Sequence, residues 1–158
     1  MESALKDYLA KHHIHYEIYE HPAVFTVAES DKVTQHIPGA RSKNLFLYDE
    51  ERRYYLICML GEKRLDMKKL KNHLQVKELH FASPEELKTE LYLSPGSVSP
   101  LGMIHAKHTR LLIDKEIWDA KQAGFHPNVN TATLVLDHTD IEKFCNSLFC
   151  PWEVIDLA

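Results

Sequence analysis

The chain has 158 residues, of which 44% are hydrophobic and 27% charged; we expect residues 1–158 to form one compact domain. Its formal net charge of −4 argues against a general polyanion-binding protein, because such binding needs many Lys and Arg contacts to phosphates. No apolar run reaches the roughly 18 to 20 residues of a membrane helix, and the first residues show no signal-peptide pattern. The sequence therefore predicts a cytoplasmic protein with no membrane partner.

The first part of the chain changes from a helical to an extended pattern and back. Apolar residues at helical spacing predict an amphipathic helix over residues 3–13, and alternation predicts a strand over residues 16–20. Thr26 and Glu29 have the spacing of a capping box, in which side chain and backbone satisfy each other at a helix start. We expect this second helix to end before Pro38.

The middle of the chain combines a hairpin with two capped helices. The apolar runs 44–48 and 54–60 flank a charged turn, which predicts a β-hairpin. Asp66 is expected to cap a helix, and a short strand follows near residues 79–81. Residues 83–86, Ser-Pro-Glu-Glu, then predict a helix with a capping box and a proline in its first turn.

The last part of the chain contains a loop, short strands and one helix. The predicted elements are a rigid loop at 94–102, strands at 111–114 and 131–136, and a helix capped by Thr139 and Glu142, after which EVIDL closes the chain. Short strands and helices in this mixed order predict an α+β fold with a mostly antiparallel or mixed sheet.

Several kinds of chemistry lack support in this sequence. The phosphate-binding motifs G-x-x-x-x-G-K-[ST] and G-x-G-x-x-G are absent, as are the nucleophile motif G-x-S-x-G and the zinc motif H-E-x-x-H. Three cysteines without a C-x-x-C pair indicate neither a disulfide framework nor a zinc knuckle. The eleven histidines lack the spacing of a ligand set, so we expect no metal and no cofactor.

Basic residues cluster locally despite the negative total charge. The clusters are Arg52–Arg53, Lys63–Arg64, and Lys68, Lys69 and Lys71. They are candidates for a basic patch, although such clusters are more often an ordinary solvated face.

Three irregular segments place polar residues beside apolar strands, where a loop can hold a site on a rigid scaffold. They are residues 38–44, 95–102 and 124–133. Each also has an ordinary structural explanation. Gly96 can supply a turn, His126 with the following proline can end a helix, and Lys43 can be a solvated surface lysine.

Five segments taken in order resemble one known family. They are HPAVFT at 21–26, GARSKNLFL at 39–47, FASPEEL at 81–87, PGSVSPLG at 95–102 and FHPNVNTATLVL at 125–136. This combination resembles the YbaK/prolyl-tRNA editing superfamily. The last two segments are similar to the branch that deacylates alanyl-tRNA(Pro).

The resemblance implies a fold and an activity. The fold would be a mixed α/β domain with a curved, barrel-like sheet, mixed or antiparallel, flanked by helices. The activity would be that of an aminoacyl-tRNA hydrolase, which cleaves the ester between a small amino acid and the terminal adenosine of mischarged tRNA(Pro). The implied partners are the acceptor end of that tRNA and, as a further candidate, prolyl-tRNA synthetase.

The resemblance also implies site residues. Lys43 would engage the terminal phosphate or ribose, Gly96 would let water and ester approach its loop, and His126 would position the substrate. The implied substrate-binding residues are Thr26, Asn44, Ser97 and Asn130. One departure is the segment Met103-Ile104-His105-Ala106, where related proteins often show an Asn-Asp pair.

Three alternatives stay open at this point. The chain could remove cysteine or serine rather than alanine, or it could bind tRNA or a synthetase without catalysis. A third alternative is a protein that binds a free amino acid or another small molecule in the same pocket.

Overall fold

The computed structural model describes residues 1–23 and 27–157. The helices are α1 (Ser3–Lys11), α2 (Val27–Thr34), α3 (Met67–Leu74), α4 (Pro84–Leu91), α5 (Lys115–Trp118) and α6 (His138–Ser147). The strands are β1 (Glu17–Glu20), β2 (Ala40–Asp49), β3 (Tyr54–Leu60), β4 (Leu79–Phe81), β5 (Thr109–Asp114), β6 (Gln122–Phe125), β7 (Ala132–Asp137) and β8 (Trp152–Ile155). In the described part of the chain, none of the helices combines the length and apolarity needed to cross a membrane.

The eight strands form one mixed sheet in the order β1-β7-β6-β2-β3-β5-β8, and β4 also pairs with β2. The pairs β1–β7, β6–β7, β2–β3 and β2–β4 are antiparallel, whereas β2–β6, β3–β5 and β5–β8 are parallel. The prediction of an α+β fold with a mixed sheet is therefore confirmed.

Strand β2 joins the two halves of the sheet. One edge pairs with β3 from Ser42 to Tyr48. The other edge pairs with β6 only at Ala40 and Arg41, and with β4 from Leu47 to Asp49. Residues 42–46 thus lie between two short partner strands, where the edge of β2 can be approached.

Two apolar cores lie on opposite faces of the hairpin strands, since successive side chains of a strand alternate. The larger core contains Phe46 and Cys58 and is covered by α1, α4 and α6. The smaller core contains Leu47 and Ile57 and is covered by α3 through the fully buried Leu70. Helices therefore cover both faces of this part of the sheet.

Two of the predicted helix caps are confirmed. The Asp66 carboxylate accepts a hydrogen bond from the Lys69 N–H at 3.1 Å. Ser83 and Glu86 form both hydrogen bonds of a capping box. The capping prediction for Thr26 lies outside the described residues.

The predicted cap of the last helix is wrong. Helix α6 begins at His138 directly after β7, so Thr139 lies inside its first turn. The N-cap is Asp137, whose side chain makes no capping hydrogen bond. Its carboxylate instead accepts a hydrogen bond from Gln122 Nε2 at 2.9 Å, which links β7 to β6.

Parts of the three segments predicted as irregular are regular. Residues 40–44 belong to β2, and Gly124 and Phe125 end β6, because the two strands pair with each other. The predicted loop at 94–102 contains a 3₁₀ turn at Pro95–Ser97 and the start of another at Pro100–His105. Lys43 and Asn44 are consequently held by a strand instead of a loop.

Candidate functional site

A cavity of about 230 Å³ lies where the first half of β2 meets the end of β6 and the 3₁₀ turn at Pro95–Ser97. Its described lining consists of Thr34, Ile37, Pro38, Gly39, Ala40, Arg41, Ser42, Lys43, Asn44, Pro95, Gly96, Val98, Gly124, Phe125, His126 and Thr133. Residues from widely separated parts of the sequence thus meet in one place.

The cavity brings together four residues that the sequence singled out. Lys43, Asn44, Gly96 and His126 all line it. Two further predicted residues are not part of the described lining. They are Ser97, which is buried in the 3₁₀ turn beside Gly96, and Asn130, in the segment between β6 and β7. Thr26 lies outside the described residues.

Asn44 presents an unsatisfied acceptor. Its side-chain oxygen Oδ1 is buried and has no hydrogen-bond partner among the described residues. Buried polar atoms of this kind are rare in folded proteins because each loses its contact with water without compensation. Asn44 also lines the cavity, so this unsatisfied acceptor belongs to a residue in the wall of the candidate site.

The Lys43 ammonium is held by the chain beyond β3. Its Nζ donates a hydrogen bond to the backbone carbonyl of Lys63. The Lys63 side chain is itself tied down: its Nζ lies 2.7 Å from Asp114 Oδ2 and 2.7 Å from Glu116 Oε1. Burial acts to lower the pKa of Lys63, but the hydrogen bonds to the two carboxylates raise it above its ordinary value. The loop that positions Lys43 is therefore anchored by an ion pair.

His126 is held as a neutral acceptor. Its Nδ1 lies 3.3 Å from the Ala132 carbonyl oxygen, which can only accept, so Nδ1 carries the proton. Burial lowers the pKa of His126 below its ordinary 6.5, the contact with Ala132 opposes this, and His21 lowers the pKa further. In the neutral ring Nε2 has a lone pair with which it can accept a hydrogen bond from a ligand.

A second histidine stands beside it. The rings of His21 and His126 are 6.4 Å apart between centroids. His21 Nδ1 lies 2.9 Å from the Pro22 carbonyl and Nε2 lies 2.9 Å from the Thr133 hydroxyl. His21 thus fixes the rotamer of Thr133, a cavity residue. The local sequence around His21 predicted neither a metal site nor any other role for this residue.

The cavity is lined by cations without carboxylates. Arg41 and Lys43 belong to the described lining, which includes no Asp or Glu. Such a lining favours an anionic or ester ligand and provides no pair of acidic groups for acid–base catalysis.

Cysteine nucleophiles are absent from this site. All three cysteines are free and buried, and none belongs to the described lining of the cavity. Burial raises the pKa of Cys58, Cys145 and Cys150, to about 12 for Cys145. A thiolate is therefore disfavoured at neutral pH.

Metal ligands are also not grouped. Among residues 1–23 and 27–157, no three His, Cys, Asp or Glu side chains come close enough together to hold an ion.

The segment after His126 is tied to the N-terminus. Asn128 Nδ2 donates to Glu2 Oε1 at 3.1 Å, and the Glu2 N–H lies 3.4 Å from the Pro127 carbonyl. The same Glu2 oxygen accepts from His105 Nε2 at 2.9 Å. His105 belongs to the segment that departs from the family pattern, so that segment supports the loop carrying His126. No local signal at Glu2 could have revealed this long-range contact.

Two glycines permit the close approach of strands at the cavity. Gly39 has φ +93°, and a Cβ there would lie 3.0 Å from backbone atoms of Gln122. A Cβ on Gly124 would lie 3.0 Å from Cγ2 of Thr133. Larger residues at these positions would therefore press β6 away from β2 or from β7.

Comparisons with known proteins identify the family of this chain. Residues 21–144 match the family of the aminoacyl-tRNA editing domain. The chain is 32% identical over 147 residues to the prolyl-tRNA editing protein ProX of Acetoanaerobium sticklandii, covering 91% of this chain and 90% of that protein. It is also 32% identical over 150 residues to the prolyl-tRNA synthetase associated domain-containing protein 1 of Bos taurus, covering 91% and 88%.

A solved structure shares the fold. It is that of a candidate trans-editing enzyme for prolyl tRNA synthetase, which superposes with a TM-score of 0.76 at 20% identity, covering 99% of this chain and 98% of that one. With the family match spanning residues 21–144, the chain belongs to the aminoacyl-tRNA editing domain family.

Proposed function

We propose that the protein is a trans-acting aminoacyl-tRNA deacylase that hydrolyses the ester of mischarged tRNA(Pro), and that Ala-tRNA(Pro) is its main substrate. The observation that carries the proposal is the convergence of Lys43, Asn44, Gly96 and His126 on one cavity whose described lining contains no carboxylate. The relatives named for prolyl-tRNA editing support the choice of tRNA. We expect the protein to act in the cytoplasm.

Water is the nucleophile in this proposal. An aminoacyl ester is already activated, so a held water and fixed hydrogen-bond donors at the developing oxyanion are sufficient. Water adds to the ester carbonyl, the bond to the ribose oxygen breaks, and the proton from water passes to that oxygen. The products are the free amino acid and a tRNA with its terminal hydroxyl restored.

In this proposal each cavity residue has one role. Lys43 supplies a positive charge for the terminal phosphate or ribose. Asn44 Oδ1 and His126 Nε2 accept hydrogen bonds from the amino or hydroxyl groups at the acylated end. Gly96 leaves its backbone open to the ester, where a side chain would block the approach.

Selectivity follows from volume in this proposal. The cavity, about 230 Å³, is smaller than the roughly 300–1,000 Å³ of ordinary ligand pockets, which suits a small amino acid at the acylated end of a tRNA. A synthetase rejects a slightly smaller amino acid by only about 1–3 kcal/mol per methylene. A second site that admits alanine but not proline would complete the discrimination.

The proposal is tested by deacylation of labelled Ala-tRNA(Pro), Pro-tRNA(Pro) and Cys-tRNA(Pro) with and without EDTA. We expect hydrolysis of Ala-tRNA(Pro) alone, no effect of EDTA, and loss of turnover in Lys43→Ala. Lys143→Ala, on the exposed surface of α6, is the matched control and should turn over normally. Comparable hydrolysis of Pro-tRNA(Pro) would contradict the selectivity, and no hydrolysis of any substrate would contradict the activity.

A further inference from the structure

One segment of this acidic protein carries a net positive charge. Residues 61–73 contain five Lys or Arg and two carboxylates. The whole chain has 19 basic and 23 acidic residues, which leaves 14 basic against 21 acidic outside the segment. Attraction to phosphates depends on local charge. Residues 61–73 therefore favour an anionic partner, whereas the rest of the chain, with its net negative charge, does not.

This segment begins at the mouth of the cavity. The Gly61 N–H donates to the Arg41 carbonyl at 2.8 Å, and the Lys43 ammonium donates to the Lys63 carbonyl. Arg41 and Lys43 both line the cavity. The loop after β3 therefore leads from the cavity to the start of α3, and its basic residues are interrupted by Glu62 and Asp66.

Helix α3 turns its lysines away from the core. Leu70 is fully buried, and Met67 and Leu74 pack against the same core. Lys68 is exposed, and Lys71, three residues later, is half-buried on the same flank of the helix.

The charges of this segment are available to a partner. Within the part of the chain that the structure describes, Arg64, Lys68 and Lys71 form no ion pair with a carboxylate. Lys63 differs, since Asp114 and Glu116 neutralise it.

We propose that Arg64, Lys68 and Lys71, the α3 basic surface, bind the phosphates of the RNA strand whose acylated end enters the cavity. The inference rests on the proposed function and assigns it an RNA-docking surface. Lys68 and Lys71 lie about 4.5 Å apart along the axis of α3, at a rise of about 1.5 Å per residue, and Arg64 lies in the loop just before the helix. A nucleic-acid strand in a duplex presents a phosphate about every 3.4 Å along its axis, so the two lysines can face neighbouring phosphates.

The test compares two substrates that differ only in RNA. One is full-length Ala-tRNA(Pro), and the other is the alanyl ester of adenosine, which reaches the cavity but has no strand to lie on α3. In Lys68→Gln/Lys71→Gln we expect the ratio of kcat/KM for the tRNA to kcat/KM for the adenosine ester to fall about tenfold. The slope of log KM against log salt for the tRNA should decrease by about 1.4 to 1.8.

A matched control removes the same charge elsewhere. Lys11→Gln/Lys143→Gln neutralises two exposed lysines on α1 and α6, which cover the opposite face of the hairpin strands. We expect this control to keep the wild-type ratio of the two kcat/KM values. A ratio that is retained here but lowered in Lys68→Gln/Lys71→Gln supports the α3 basic surface.

Two results would overturn the inference while the proposed function stands. One is that Lys68→Gln/Lys71→Gln keeps the wild-type ratio of the two kcat/KM values. The other is that this ratio decreases equally in the control variant Lys11→Gln/Lys143→Gln. If the wild-type protein cleaves neither substrate, the proposed function fails by itself. Gel-shift titration with uncharged tRNA then tests whether the α3 basic surface binds RNA. Equal affinity of the wild type and Lys68→Gln/Lys71→Gln for the tRNA would refute the inference.

Discussion

Replacing Lys63 by methionine should destabilise the protein through the carboxylate that it leaves behind. The Asp114 side chain is fully buried, and its Oδ2 accepts from Lys63 Nζ at 2.7 Å. Its other oxygen, Oδ1, has no partner among the described residues. In Lys63→Met neither oxygen would be paired, so a buried charge would remain without compensation.

The magnitude follows from the burial of the pair. Removing one partner of a buried ion pair costs about 3–5 kcal/mol. The Lys63 side chain keeps 19% of its exposure, so water solvates part of the site and the lower end, about 3 kcal/mol, applies. A domain of this size loses about 2–4 °C of Tm per kcal/mol, which predicts a decrease of about 6–12 °C. The second pair, with the half-exposed Glu116, contributes little.

Thermal unfolding of Lys63→Met, Asp114→Leu and the double variant tests this reasoning. The double variant removes both charges and should recover at least half of the stability lost in Lys63→Met, because apolar groups can replace a buried pair at little cost. Folded Lys63→Met should also show a lower kcat, since the Lys63 carbonyl holds the Lys43 ammonium. An unchanged Tm in Lys63→Met, or a double variant less stable than Lys63→Met, would refute the argument.

Three further changes test the hairpin, the cavity wall and the acceptor histidine. Burial acts to raise the pKa of Asp49, but hydrogen bonds, first that from Tyr55, lower it below its ordinary value. Asp49→Asn should therefore lose about 2 kcal/mol at neutral pH. The urea midpoints of the wild type and Asp49→Asn should converge as the pH falls through the lowered pKa of Asp49, because the stabilisation by the ionised carboxylate is then lost. Gly124→Ala should lower kcat/KM because its Cβ would meet Thr133 Cγ2 at 3.0 Å. Adding Thr133→Ser, which deletes that methyl but keeps the hydroxyl, should restore kcat/KM; failure to restore it would exclude this contact as the cause. Because burial lowers the pKa of His126 below its ordinary value of 6.5, the acidic decline of kcat/KM should have its midpoint below pH 6.5. His126→Gln should remove that acidic decline, and a decline retained in the variant would assign it to another group.

Local signals predicted local structure well. The Asp66 cap and the Ser83–Glu86 capping box were correct because each depends on hydrogen bonds within four residues. Thr139 failed as a cap because the helix start is set by the end of β7, and β7 is placed by distant pairing with β6 and β1.

The site was predictable only in part, for the same reason. Family resemblance selected Lys43, Asn44, Gly96 and His126, and the structure brings these four together. Their surroundings depend on contacts that no short segment encodes. Glu2 reaches Asn128 across 126 positions of sequence. The Lys63 side chain reaches Asp114 across 51.

The position of the cavity on the sheet gives the proposed chemistry its rigidity. Lys43 and Asn44 lie on β2, which is hydrogen-bonded to β3 along their length, and Gly124 lies on β6. A site without a nucleophilic side chain depends on the placement of water and donors, and small displacements of such groups lower the rate steeply. Strand-borne residues keep their relative positions better than residues on a free loop. The extension of β2 over residues 40–43, which the sequence did not indicate, is therefore the structural feature that best suits water-mediated hydrolysis at this cavity.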